Sequence, residues 1–209
     1  MTTAPHYGDD AVYRTPIKVF TCPASEFKGL SPDATLLPNI SRLQGALHYR
    51  AVGGTDRVDD FWVTGTQNVH SNYSTSGVIY PYSQTKLPEI TDGTSNTLLF
   101  GETSSLSGRA MASRGWAGIQ PWTWGYYSYD AIGPPVGTGV LMIDHKLVKY
   151  PIGYSGSFPT NETPFTSNHQ NGVNVAMCDG SIRFLTRDTD VEILKNLATR
   201  LGNETVSLP

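Results

Sequence analysis

The chain of 209 residues has little charge, only two cysteines and no long apolar run. Asp, Glu, Lys and Arg together make up 16% of it, the formal net charge is -3, and its 15 Lys and Arg residues form no basic run. A nucleic-acid surface needs clustered basic side chains, so this composition argues against one, and against binding to anionic membranes. No segment approaches the roughly 18 consecutive apolar residues that a membrane helix needs. The start, MTTAPHYGDD, lacks both the basic region and the apolar core of an export signal. The sequence as given is therefore expected to stay out of the bilayer and to be cytoplasmic when expressed as it stands. Signatures of familiar catalysts are missing too: G-x-S-x-G, H-E-x-x-H, an EF-hand loop, a P-loop and G-x-G-x-x-G are all absent. Ser83-Gln84-Thr85-Lys86 matches S-x-x-K without its companion motifs. The two cysteines, Cys22 and Cys178, have two readings: a disulfide in an oxidising compartment, typically worth about 2–4 kcal/mol, or two small buried apolar side chains.

What is abundant is turn-forming and aromatic: Gly (21), Pro (14) and Tyr (11) accompany a hydrophobic fraction of 38%. That mixture suits short strands joined by many turns. The clearest pair of strands flanks Cys178-Asp179-Gly180-Ser181, with Asn174–Met177 leading in and Ile182–Leu185 leading out. Asp-Gly is expected at the two central positions of the tight turn of a 173–185 hairpin, where positive φ is required. Further strands are expected at 17–20, 47–52, 77–82 and 97–100, the last two separated by the turn formers Asp92 to Asn96. Asp188-Thr189-Asp190 form an N-cap region ahead of Val191, Leu194, Leu197, Ala198 and Leu201, which are spaced for one helical face, with Gly202 placed to end the helix. The expected architecture is α+β with β dominant: a mostly antiparallel sheet, covering loops at 25–75 and 103–165, and one short C-terminal helix. Residues 1–14 read as a flexible arm and 15–209 as a single domain.

Three sequence blocks give a resemblance. His169 is followed, after nine residues, by Asp179-Gly180; Leu87 to Glu102 reads LPEITDGTSNTLLFGE; and Thr15-Pro16-Ile17-Lys18-Val19-Phe20 precedes Cys22-Pro23. In this order they resemble the prepilin-type, processing-associated His-X9-Asp-Gly domain family, a bacterial family mostly of unknown function. The resemblance implies a pilin-like or pseudopilin-like extracytoplasmic domain that packs against pilin or secretion-system subunits. Family members usually begin with an apolar anchor helix. This sequence starts on polar residues instead, so filament assembly is not expected of it as read. The resemblance also adds support for a structural Ca²⁺ in a loop of the β region.

The candidate site residues come mainly from these blocks. Asp92, Glu102 and Asp179 are the candidate oxygen donors for Ca²⁺, a hard cation that takes six to eight oxygens. His169 is either a buried hydrogen-bonded residue, a metal or catalytic residue, or a surface residue. His6, His48, His70 and His145 stand in no metal-ligand spacing. Asp179 either shapes its turn or acts with His169 as a catalytic residue in a Ca²⁺-dependent hydrolase of esters or acyl lactones, where a metal polarises the carbonyl and a side chain activates water. Asp56, Asp59 and Asp60 form either a second cation site or a solvated face. Trp116, Trp122 and Trp124 lie in an aromatic-rich stretch that reads either as a cover over the sheet or as a groove for a sugar or an acyl chain. Two principal functions follow: a calcium-stabilised pilin-like contact domain and a metal-dependent hydrolase, with a carbohydrate-binding module as the third.

Overall fold

The computed structural model describes residues 11–27, 29–30, 44–57, 74–105, 119–122, 125–128, 140–142, 144–156, 158, 160–204 and 206. In chain order its strands are β1 (Ala46–Leu47), β2 (Tyr49–Thr55), β3 (Leu98–Glu102), β4 (Gln120–Pro121), β5 (Tyr126–Ser128), β6 (Val140–Met142), β7 (His145–Val148), β8 (Gly172–Met177) and β9 (Ile182–Thr186). The single α-helix among the described residues, α1, spans Val191–Ala198. Five strands form the main sheet in the order β7-β2-β3-β8-β9, while β1–β4 and β5–β6 make two-stranded pairs. Every pairing in the main sheet is antiparallel except β2 with β7. The fold is thus α+β and β-dominant, with one mixed sheet and one short C-terminal helix.

The β8–β9 hairpin forms where the alternation and the turn residues demand it, but the turn differs from the expected one. Gly180 N–H donates to Met177 O (3.0 Å), and Met177 N–H donates to Ser181 O (2.9 Å). The central pair of the turn is therefore Cys178-Asp179, and Gly180, at φ +85, is the left-handed residue that follows. This is a type I turn closed by a glycine bulge, whose geometry matches the right-handed twist of the strands as well as a two-residue turn does. Only the glycine takes positive φ, so Asp179 needs no unusual backbone.

Alternation along β8 separates the two faces. Val173, Val175 and Met177 turn to one side, where they join Val52, Leu98, Val148, Ile152, Phe165 and Leu185 under Leu194, Leu197 and Ala198 of α1. Apart from Ala198, each such side chain contributes about 1.5–3 kcal/mol through burial. Asp190 caps the helix by accepting from Glu192 N–H (2.7 Å). On its outer side, Arg57 bonds Glu192 (2.8 Å) and Glu204 (2.6 Å), and Lys195 pairs with Asp56 (3.0 Å). Asp59 and Asp60 lie outside the described residues. A register shift between Leu98 and Phe100 reverses the faces of β3, so Leu98 enters the core while Phe100 pairs with Ala176 on the other side. Two positions later in the strand, Glu102 also faces away from α1. Gly101 is required because a Cβ there would run into the Phe165 ring.

Three expected features differ. Residues Lys18–Phe20 form a 3-10 turn with no buried residue, not a strand, so nothing there rewards extended pairing. Residues 77–82 bend instead of laddering: Arg200 Nη1 donates to Thr75 O and Gly77 O and Arg200 N–H to Ser76 O at the start of the segment, Gly77 and Ile79 N–H reach Gly53 O (3.2 Å) and Val52 O (3.4 Å), and the chain turns at Tyr80–Ser83 with Tyr82 at φ +63. The strand expected at 47–52 is present as β1 and β2, the latter running on to Thr55, whereas β7 emerges from the stretch 103–165 that reads as a covering loop. The buried His145 and Lys146 of β7 conceal the apolar alternation that marks a strand. Of the expected arm, residues 1–10 lie outside the described residues. No helix among the described residues is long and apolar enough to cross a membrane.

Candidate metal centre

At the end of the sheet where β8 begins, the face opposite α1 carries a polar cluster. Ser167 Oγ accepts from His169 N–H (3.1 Å) and donates to Gly172 O (2.5 Å). This tight link folds the 167–172 loop back over β8. The His169 ring then stands edge-on to Phe184, with centroids 6.4 Å apart. Its Nε2 lies 3.3 Å from Cys22 Sγ, 3.0 Å from Asn174 Nδ2 and 3.5 Å from Glu102 Oε1. Because the Asn174 amide also points its NH₂ at Glu102 Oε2 (3.3 Å), it acts as a donor, which leaves the acceptor lone pair on His169 Nε2.

Glu102 is fully buried. Ser104 Oγ donates to its Oε1 (2.6 Å), and Asn174 N–H donates to its Oε2 (3.0 Å). A buried carboxylate is retained only where donors or a cation offset its lost hydration. Among the described residues no Lys or Arg pairs with it, and His169 is the ionisable base within 4 Å. Cys22 is held through its backbone, whose N–H donates to His48 Nδ1 (2.8 Å). Burial is the largest influence raising the Cys22 thiol above its ordinary pKa, with Glu102 adding to it. The thiol therefore stays protonated at neutral pH unless a cation reaches it. Burial lowers His48 to about 4, so that imidazole is neutral. The Tyr49 phenol is shifted up by burial first and then by Cys22 and Glu102.

One donor atom each from Cys22, Glu102 and His169 falls within 4.8 Å of the other two. Tetrahedral zinc with bonds of roughly 2.0–2.3 Å separates its donor atoms by about 3.3–3.8 Å, close to the observed 3.3 and 3.5 Å. A thiolate, an imidazole and a carboxylate are a donor set for zinc-class metals; Ca²⁺ takes oxygen. Three protein donors also leave a tetrahedral ion one further position.

Of the expected calcium donors, Glu102 belongs to this cluster and the other two do not. Asp179 is in the β8–β9 turn, where its N–H donates to Thr94 O (3.0 Å) at the opposite end of β3 and β8. Its carboxylate accepts from Ser181 N–H (2.9 Å) and Ser181 Oγ (2.6 Å), which hold its pKa down. Asp92 accepts from Gly202 N–H (2.8 Å) and Asn203 N–H (2.7 Å), clamping the chain after α1. His169 and Asp179, nine residues apart in the motif, therefore stand at opposite ends of one strand. Cys22 and Cys178 are both free, the first in the cluster and the second in the turn. Trp122 is half-buried, donates to Thr15 O (3.0 Å) and lies 6.5 Å from Phe20, as a covering side chain does. Trp116 and Trp124 lie outside the described residues. Sequence reasoning did not assign Cys22, Ser104 or Asn174 to a site. The available signal was the position of Cys22 in the first block, just as Glu102 closes the second and His169 opens the third.

Fold and site together define a β-dominant α+β domain with a partly buried three-donor cluster on the sheet face away from its helix. The chain belongs to the family described as "Protein of unknown function (DUF1559)", whose family model matches residues 2–192. No curated protein and no solved structure matches the chain.

Proposed function

We propose that this chain is a prepilin-type His-X9-Asp-Gly domain that works through protein–protein contacts, outside the cytoplasm, and is locked by a zinc-class metal ion bound to Cys22, Glu102 and His169. One observation carries this reading: the three sequence blocks, far apart in the chain, each deliver one metal donor to the same point. A metal there would tie the N-terminal segment to β3 and to the loop before β8. In place of calcium, the thiol and imidazole favour zinc. The contact role is supported by Phe100, Ile182 and Phe184, which share the sheet face away from α1 and are 38%, 68% and 47% exposed.

A second reading, a metal-dependent hydrolase of esters or lactones, is favoured by the fourth position that three donors leave and by the partial exposure of the His169 side chain, 28%. Both readings rest on the metal, so the first experiment measures it. Protein stripped with EDTA is dialysed against Zn²⁺ or Ca²⁺, and metal content and Tm are recorded. The expected result is about one Zn²⁺ per chain with a raised Tm, no such response to Ca²⁺, and loss of both effects in Cys22→Ser and His169→Ala variants that retain the wild-type circular dichroism. Absence of Zn²⁺ retention and of a Tm change would overturn the centre. Turnover of chromogenic esters or acyl lactones that returns only with Zn²⁺ would place the hydrolase first.

A further inference from the structure

On the α1 face of the same sheet, a second cluster has the opposite charge. Arg50 of β2 and Lys146 of β7 are 0% and 1% exposed. Both are anchored to one residue: Arg50 Nη1 donates to Thr163 Oγ1 (2.9 Å) and Lys146 Nζ to Thr163 O (2.5 Å). The Lys146 ammonium also lies 3.5 Å from the centroid of the Phe165 ring. Buried charges of one sign are tolerated only beside compensating partners. Among the described residues, Asp144 acts on Arg50 through space while its carboxylate bonds His145 Nδ1 (2.6 Å), and Glu162 bonds Lys149 (2.8 Å) and Tyr150 (3.2 Å), so neither hydrogen-bonds the two cations.

The buried donors of Arg50 that lack a hydrogen-bond partner are Nε and Nη2. These two atoms form one edge of the guanidinium, the edge that holds two oxygens of a carboxylate or phosphate in parallel. A guanidinium with this edge open, fixed through its third nitrogen and accompanied by a second cation, is the arrangement that captures an oxyanion. We propose that Arg50, through Nε and Nη2, together with Lys146, binds a small oxyanion between β2, β7 and the 160–165 segment. The direction of the Lys146 shift is consistent with this need. Without an anion, burial and then Arg50 push the amine well below its ordinary pKa. Since neither side chain is accessible, the anion is taken up as the 160–165 segment closes over the strands during folding.

The test uses the full chain, unfolded in guanidinium chloride and refolded at equal ionic strength in chloride alone, or in chloride with inorganic phosphate, sulfate or acetate. After desalting, the protein is denatured again and released anions are counted by ion chromatography. The expected outcome is about one phosphate, sulfate or acetate retained per chain, and a Tm above that of the chloride sample in the retaining arm. The retaining arm identifies the class: tetrahedral oxyanions or carboxylates. Lys146→Met keeps an apolar side chain over Phe165 and is expected to fold, yet to lose most of the retained anion. Arg50→Met is expected to retain none, and to be at least as stable as the wild type in chloride, since it removes a cation whose fork is unfilled. No retained oxyanion in any arm, with the same Tm in all four buffers, would overturn the proposal. So would full retention in Arg50→Met.

Discussion

The two ends of the β3–β8 ladder carry acidic residues of the same sequence blocks, and they use them differently. At the turn end, Asp179 and Asp92 accept backbone N–H groups, one from its own turn and the other from residues 202–203. These carboxylates stand near water and hold the backbone. At the other end, Glu102 is fully buried, and it shares its surroundings with a thiol and an imidazole. A short acidic motif therefore does not declare its role. Burial and the softness of the neighbouring donors decide whether a carboxylate shapes a turn or completes a metal set.

The sharpest break of this contrast is Glu102→Ala in metal-free buffer. It strands the Asn174 N–H and the Ser104 hydroxyl in the interior, and is expected to cost about 3–5 kcal/mol. Equilibrium urea unfolding reads the loss, and a cost as small as that of Asp92→Asn would erase the distinction between the two ends.

Acid provides the next test. His48 titrates at about 4 in the fold, against roughly 6.5 when unfolded. Its folded pKa is depressed, so the unfolded chain binds more protons between these values. Stability is then fully present above about pH 6.5 and falls as pH drops toward 4. The pKa difference bounds that contribution at roughly 3 kcal/mol. In EDTA, His48→Asn, which keeps an acceptor for Cys22 N–H, is expected to flatten the slope of urea-derived stability over that range. An unchanged slope would assign the acid sensitivity to another group.

The smallest effects belong to the turn end. Asp92→Asn is expected to cost about 1 kcal/mol through weakened bonds to residues 202–203. Asp179→Asn should cost less still, because its carboxylate is exposed. Neither substitution should change Zn²⁺ content. A fall in bound Zn²⁺ in either variant would join the two ends into one site and collapse the comparison.

The hairpin, the cap and face of α1 and the β-dominant class follow from local patterns: alternation at Val173, Val175 and Met177, turn chemistry at 178–181, and the 3.6-residue spacing of Leu194 and Leu197–Ala198. Local geometry even dictated the glycine at position 180, although not that Cys178-Asp179 would be the central pair. The bends at 77–82 contradict the apolar run there, because a left-handed Tyr82 turns the chain and Arg200, more than a hundred residues away, holds the carbonyls just before it. Strand β2 is legible at 47–52, but β7 is obscured by the buried Lys146 that it carries.

Cys22, Glu102 and His169 each stand in a recognisable block, but from the sequence only Glu102 and His169 read as site candidates. Only the tertiary structure decided that these three meet while Asp92 and Asp179 do not. It alone brought Arg50 and Lys146 together around Thr163. The physical reason is range. Helix caps and turns are set by interactions over a few residues, whereas Cys22 and His169 are 147 positions apart, and their meeting depends on the register and order of strands that no local pattern specifies.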